Sequence, residues 1–280
     1  MLGIIWKPDL FATIDGRPLS TSLSDIYRYF PYERLTKKPF LAFALRPEVM
    51  LALVLLYTVS KPMFKLIATY VDSRSQGFRA VIALHNLGLA VFSAVLAWNS
   101  WGVSITHFAN HGFLATYCDY DGTFWNAGGL GAWAIIFYLS KYYEFIDTWV
   151  LVLKGKQPSF LQVYHHTGVV ISCWGAVISQ GTWIMMVILL NSVIHTLMYT
   201  YFLIKTISPM TEIKAAKNLT MAQIGQFITA LAFTGGIHFM DGACASPCSR
   251  FFLTFTQLYG IGLIVLFLSF MKQKYKTKDD

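Results

Sequence analysis

Charged side chains are scarce in this sequence. Asp, Glu, Lys and Arg supply 13% of its 280 residues, about half the roughly 25% of an ordinary soluble domain. Hydrophobic residues supply 55% and aromatics 16%, and the mean hydropathy is +0.51. Together these exclude a soluble domain with a large core and point to a chain solvated by lipid. Low-complexity tracts and convincing internal repeats are absent, so neither a disordered scaffold nor a solenoid is expected. A signal peptide is not expected either, because Met1–Lys7 is too short an apolar run and has no cleavage pattern. Cysteines number four. Cys244-Ala-Ser-Pro-Cys248 is half of a metal site with no second half, so no metal is assigned.

What is present is apolar and long. Seven windows of membrane-spanning length lie near 47–66, 78–100, 129–153, 159–179, 182–204, 220–240 and 251–271. Lys61, Pro62 and Lys65 interrupt the first. The expected organisation is a polar, proline-punctuated arm (1–46), an all-α membrane domain (47–271) and a basic tail (272–280).

The net charge of +8 is not a nucleic-acid signal, because it is sorted by loop. Lys61, Lys65, Arg74 and Arg79 fall in the first loop, Lys154 and Lys156 in the third, and Lys205, Lys214 and Lys217 in the fifth. Lys272, Lys274, Lys276 and Lys278 follow the last span, while the alternate loops hold only Arg250. That asymmetry places the odd-numbered loops and the C-terminus in the cytosol. Seven basic residues before Glu48 pull the other way, and the agreement of three loops with the tail outweighs them. Cys118, Cys244 and Cys248 then share the oxidising side, so Cys118 is expected to pair with Cys244 or Cys248; a local Cys244–Cys248 bond is the alternative.

Polar groups inside the spans carry the chemistry. Lys141-Tyr-Tyr-Glu144-Phe-Ile-Asp147-Thr148 interrupts the third span. A charge at the bilayer centre costs at least about 2.5–3.5 kcal/mol, so such a cluster must face protein or a water-filled cavity. At about 100° per residue the four positions share one helix face. Gln162-Val-Tyr-His165-His166 puts adjacent imidazoles in the fourth span, and imidazole serves as nucleophile, base or metal ligand near neutral pH. Asn191, His195, Met198 and Phe202 share a face of the fifth span, with Tyr199 beside them. Met198 and Phe202 read as packing; Asn191 and His195 continue the polar seam. Gln223 and Gln226, one turn apart in the sixth span, suit either substrate contact or a bond between helices.

In this order and spacing the motifs resemble those of the ELO-type very-long-chain fatty acid elongases: K-x-x-E-x-x-D-T, a histidine box H-x-x-H-H, N-x-x-x-H-x-x-M-Y-x-Y-Y and T-x-x-Q-x-x-Q. The resemblance covers roughly residues 47–275. Gln162 departs from the first histidine of the box, and Phe202 from the final tyrosine of the third motif. The glutamine form is similar to members acting on polyunsaturated or otherwise specialised chains.

The resemblance implies seven helices in the endoplasmic reticulum membrane, six of them a barrel around an acyl tunnel. It also implies condensation of acyl-CoA with malonyl-CoA to 3-oxoacyl-CoA, CO2 and CoA, these being substrates and products with no cofactor beside them. The reductases and dehydratase of the elongation cycle are the expected partners, along with membrane lipid.

In this reading the site comprises Lys141, Glu144, Asp147, His165, His166 and His195. His165 or His166 would be the nucleophile, since no cysteine lies within the motifs. His195 would carry protons or contact the acyl group, and Glu144 and Asp147 would orient the imidazoles and balance Lys141. Gln162, Asn191, Tyr199, Gln223 and Gln226 would bind substrate. Lys154, Lys156, Lys205, Lys214 and Lys217 would meet the CoA phosphates. Lys276-Thr-Lys278-Asp-Asp resembles a dilysine retrieval signal.

Three other functions could use the same residues. A di-iron desaturase or hydroxylase would use Gln162–His166 and His107-Phe-Ala-Asn-His111, but such a site needs about eight histidines on one side and the chain has seven in all. A transporter or channel would use the polar seam but leaves the motif order unexplained. A condensing enzyme with a thiol nucleophile would use Cys173.

Overall fold

The computed structural model describes residues 39–126, 129–211 and 216–275. Lys214, Lys276, Lys278 and nearly all of the expected N-terminal arm lie outside them. Among the described residues the chain is helical throughout, with no strand. The elements are α1 (Pro39–Ala44), α2 (Pro47–Val59), α3 (Lys61–Ala68), α4 (Gln76–Cys118), α5 (Thr123–Asn126), α6 (Leu130–Tyr143), α7 (Phe145–Leu153), α8 (Phe160–Ile178), α9 (Ile184–Ile207), α10 (Ala216–Gly235) and α11 (Pro247–Tyr275). A 3-10 turn, Gly236–Phe239, leaves α10.

Every expected span falls on helix, but three limits differ from the sequence reading. The arm ends in structure: Leu41 on α1 and Leu45 just past its end are buried, and the Ala44 and Leu45 carbonyls accept from Tyr138 OH and Trp174 Nε1 at 2.9 and 2.8 Å. The second span runs on past residue 100 and breaks at Gly112, whose φ 82°, ψ 179° is non-helical and open to glycine, so the stretch to Cys118 is two helices joined at a kink. The last helix carries Lys272 and Lys274 in its final turn, where cations favour the helix C-terminus, so the tail begins later than residue 272.

By length and composition α4, α9 and α11 can each cross a membrane, and α2 with α3, bent by 45° at Ser60, would make a fourth span. This is fewer than the seven expected. The third expected span is divided at Glu144 into α6 and α7, and α8 and α10 are long enough but carry the polar motif residues.

Packing closes a ring. α4 lies on α9, α9 on α10, α10 on α11, α11 on α8, α8 on α6, and α6 returns to α4. α2 and α3 lie outside it, against α8 and α7 respectively. The two faces of α4 show why. Ile82, Asn86, Leu89, Ser93, Leu96 and Ser100 are buried at helical spacing, while Val81, Leu84, Val91, Val95 and Trp98 are exposed. An exposed face that is wholly apolar belongs against lipid tails.

The antiparallel pair α8–α11 interlocks through glycines. A β-carbon on Gly168 would lie 2.2 Å from the Tyr259 ring, one on Gly175 2.2 Å from Phe252, and one on Gly262 2.3 Å from the Tyr164 hydroxyl. Each aromatic ring thus fills a notch left by the missing side chain opposite. At one end of the ring a Cys118–Cys244 disulfide ties α4 to the loop before α11, and Cys173 and Cys248 are free and buried. Asp119 follows with φ 51°, its carboxylate accepting from the Phe124 and Trp125 amides at 2.8 Å each.

Candidate active site

The ring encloses a cavity of about 730 Å3. Its floor is the break between α6 and α7. Lys141, in the last turn of α6, is fully buried and donates to Glu144 Oε1 at 2.6 Å and to Asn191 Oδ1 at 3.2 Å. Its ammonium also lies 4.0 Å over the Phe137 ring. A buried charge is tolerable only when paired and hydrogen-bonded, and Glu144 at the break satisfies that need. Glu144 Oε2 is left buried without a hydrogen-bond partner.

Asp147 serves a different neighbour from the one expected. Its Oδ1 meets His85 Nε2 at 2.8 Å and its Oδ2 accepts from Tyr199 OH at 2.6 Å. It therefore orients His85 on α4 rather than the histidine pair, and Lys141 is balanced by Glu144 instead. One turn along α7, Thr148 Oγ1 contacts Tyr57 OH at 2.8 Å and accepts from Gln162 Nε2 at 3.0 Å. This ties the outlying α2 to the start of α8. Ser159 caps that start, its hydroxyl accepting from the Gln162 amide at 3.2 Å.

His165 and His195 face one another across the cavity with ring centroids 6.5 Å apart, and His195 Nδ1 lies 3.7 Å from Glu144 Oε1. Tyr259 OH lies 3.1 Å from His165 Nδ1 and 2.9 Å from the His165 carbonyl oxygen. His166 sits against Tyr57 and Phe145, with Nδ1 buried and unpartnered. Glu144, His165 and His195 bring ligand atoms within 4.8 Å of one another, a donor set that could hold a cation. A dication there would compete with the Lys141 ammonium for the same carboxylate, so the set is better matched to proton and acyl chemistry.

At the opposite end the cavity is rimmed by Arg79, Lys154, Lys156, Lys205 and Lys274. Burial first, and the Lys156 ammonium second, push the Lys154 amine below its ordinary value. An arriving anion would favour its charged form. Past His165 lies a smaller apolar cavity of about 70 Å3, lined by Val169, Cys173, Trp183, Leu231, Leu253 and Leu263 among others. His165, Asn191, Gln226 and Phe227 line it, and all but Asn191 line the large cavity as well.

Of the residues expected from sequence, Glu144, Asp147, Gln162, His165, His166, His195, Tyr199, Gln223, Gln226, Lys154, Lys156 and Lys205 line the large cavity. Lys141 and Asn191 stand behind its wall, acting through Glu144. Lys217 does not join it: it is exposed on the first turn of α10, whereas Ala216, Thr220 and Gln223 face inward. Lys214 is outside the described residues. His107 and His111 stack on each other near the far end of α4 and do not approach the His165 cluster, which removes the second box of a di-iron reading.

Sequence reasoning missed His85, Tyr57 and Tyr259, and treated Arg79 and Lys274 as ordinary loop and tail charge. His85-Asn86 was detectable, since a polar pair in an apolar span obeys the same rule that singled out Lys141.

Comparison with known proteins identifies relatives of this chain. The profile of the ELO: GNS1/SUR4 family matches residues 42–280. A Dictyostelium discoideum protein provisionally named as a fatty acid elongase is 33% identical over 86% of this chain and 79% of its own length. Fatty acid elongase sre1 of the same organism is 30% identical over 77% of this chain and 80% of its own. Long chain fatty acid elongase 2 of Caenorhabditis elegans is 30% identical over 70% of this chain and 73% of its own.

Proposed function

This chain belongs to the ELO: GNS1/SUR4 family, and from that premise we propose that its cavity performs the condensing step of fatty acid elongation. An acyl-CoA and malonyl-CoA would give a 3-oxoacyl-CoA, CO2 and free CoA. One observation carries this reading: a cationic rim, a histidine–carboxylate floor and an apolar pocket follow one another through the ring. A fatty acyl-CoA has the same three parts in the same order, a polyanionic head, a thioester and a hydrocarbon tail.

In the first half-reaction His165 attacks the thioester carbon, the C–S bond breaks, and the electron pair leaves on the CoA sulfur. An acyl-imidazole is an activated intermediate that splits one hard step into two. In the second, malonyl-CoA loses CO2 and its carbanion attacks the same carbon, returning the electron pair to the ring nitrogen. His195, beside Glu144, is placed to carry a proton or to contact the acyl group. The Lys141 ammonium, held behind Glu144, contributes a fixed positive field to the anionic transition states.

No electrons change oxidation partner in this condensation, so no redox cofactor is invoked. The reductases and dehydratase that complete the cycle are the expected partners. Residence in the endoplasmic reticulum with a cytosolic C-terminus is part of the same proposal. It is supported by the loop charges and by the position of the disulfide, at the end of the ring away from the cationic rim.

Membranes containing the chain, given labelled malonyl-CoA, a panel of saturated and polyunsaturated acyl-CoAs and no reductant, should accumulate labelled 3-oxoacyl-CoA. Acyl-CoA alone should release stoichiometric CoA. That release should vanish in His165→Ala and persist in Cys173→Ser, which separates the imidazole from the thiol lining the apolar pocket. CoA release that requires malonyl-CoA would replace the acyl-imidazole with a ternary-complex condensation.

A further inference from the structure

Nucleophilic imidazole presents one nitrogen to the substrate, and the other must hold the proton. One group on α11, the Tyr259 hydroxyl, together with the His165 carbonyl decides which is which for His165. The His165 carbonyl oxygen has no proton to give, so the Tyr259 hydroxyl donates to it across 2.9 Å. The phenol has one proton, and that bond commits it. Its oxygen, 3.1 Å from His165 Nδ1, is then an acceptor, and only a protonated Nδ1 can donate to it.

The phenol reaches this place because of a vacancy in α8. Gly168 stands three residues after His165, and a β-carbon there would lie 2.2–2.4 Å from two Tyr259 ring carbons. Reciprocally, Tyr164 OH donates to the Tyr259 carbonyl oxygen at 3.3 Å, with its own hydroxyl end against Gly262. Two tyrosines and two glycines thus pin α8 to α11 at the level of the nucleophile.

We propose that Tyr259 is a positioning residue that holds His165 as the Nδ1–H tautomer, leaving the Nε2 lone pair as the acyl acceptor, with Gly168 as the seat that makes this possible. The inference rests on the acyl-imidazole reading above. As Nε2 bonds the acyl carbon and the C–S pair departs on sulfur, the ring becomes an Nδ1–H cation whose proton points at the Tyr259 oxygen. When the carbanion displaces the ring, the N–C pair returns to Nε2 and the tautomer is restored. No proton crosses the Nδ1–Tyr259 bond in either direction, so the phenol acts by orientation and charge stabilisation alone.

The test is the transient release of CoA from acyl-CoA in the absence of malonyl-CoA, measured across acyl-CoA concentrations. Tyr259→Phe removes one oxygen. It should lower the maximal burst rate constant by about tenfold or more, with half-saturation by acyl-CoA unchanged. Gly168→Ala, which keeps the phenol but pushes it off its seat, should reproduce that pattern. Burst amplitude counts folded sites, so a poorly folding variant loses amplitude and leaves the rate constant readable.

A Tyr259→Phe rate constant within about twofold of wild type, or a raised half-saturation at an unchanged rate constant, would overturn the proposal; the second result would make Tyr259 an acyl-chain contact. Absence of any burst in wild type is a different failure, that of the acyl-imidazole itself.

Discussion

Lys141 has no solvent in which to leave its charge. Its ammonium is enclosed by Glu144, Asn191 and the Phe137 ring. Removing one partner of a buried pair strands the other, at a cost of about 3–5 kcal/mol. Lys141→Met is therefore expected to lower the thermal stability of the detergent-solubilised protein by that order. Lys141→Met combined with Glu144→Gln should recover most of it while condensing activity stays low. Equal melting of single and double variants would show that the pair is not coupled. These residues were legible in the sequence because a charge in an apolar span needs an explanation. Tyr259 was not: tyrosine is at home in a membrane helix, and its partner is 94 residues away. Asp147 was recognised as functional but assigned the wrong imidazole, because helix periodicity fixes a face and not which neighbouring helix supplies the partner.

At the scale of the helix, hydropathy averaged over a span cannot see a one-residue event. The break at Glu144 and the kink at Gly112 both lie inside apolar stretches, and each is set by tertiary contacts or a single backbone conformation. The α8–α11 seam is equally invisible in composition, yet it dictates a sharp outcome. Gly175→Ala would drive a methyl into Phe252, and overpacking of this kind costs about 1–3 kcal/mol. Phe252→Leu in the same chain should return part of that stability by vacating the notch. Denaturation curves for the two single variants and the double variant measure the coupling, and strict additivity would argue that the helices simply move apart.

For the whole molecule, closure of the helices into a ring follows from no single motif and was expected only through resemblance, and the order of packing around it was not expected at all. The cysteines show the same limit, since loop sidedness left Cys244 and Cys248 equally eligible and the structure joins Cys118 to the former. That bond closes a segment of 126 residues. Its reduction should cost about 2–4 kcal/mol, seen as a lowered melting temperature in Cys118→Ser with Cys244→Ser, whereas Cys248→Ser should match wild type. Membrane sidedness is tested separately. In sealed microsomes a tag after residue 280 should be digested by added protease, and the sequon Asn218-Leu-Thr220, whose Asn218 is exposed, should stay unglycosylated. A glycosidase-sensitive mass shift lost in Asn218→Gln would invert the orientation.

Gly168 with Tyr259, Gly175 with Phe252 and Gly262 with Tyr164 are volumes owned jointly by two helices, and jointly owned volumes are inherited together. A lineage that gains a β-carbon at 175 must shrink residue 252 in the same stretch of descent, or lose the fold between the two changes. Positions 175 and 252 should therefore drift as a pair among homologous chains. Positions 168 and 259 answer to a second selection, the nucleophile they orient, and should be fixed as a pair while their neighbours vary. Statistically independent substitution at 175 and 252 would show that descent has found room in the seam that this chain does not display.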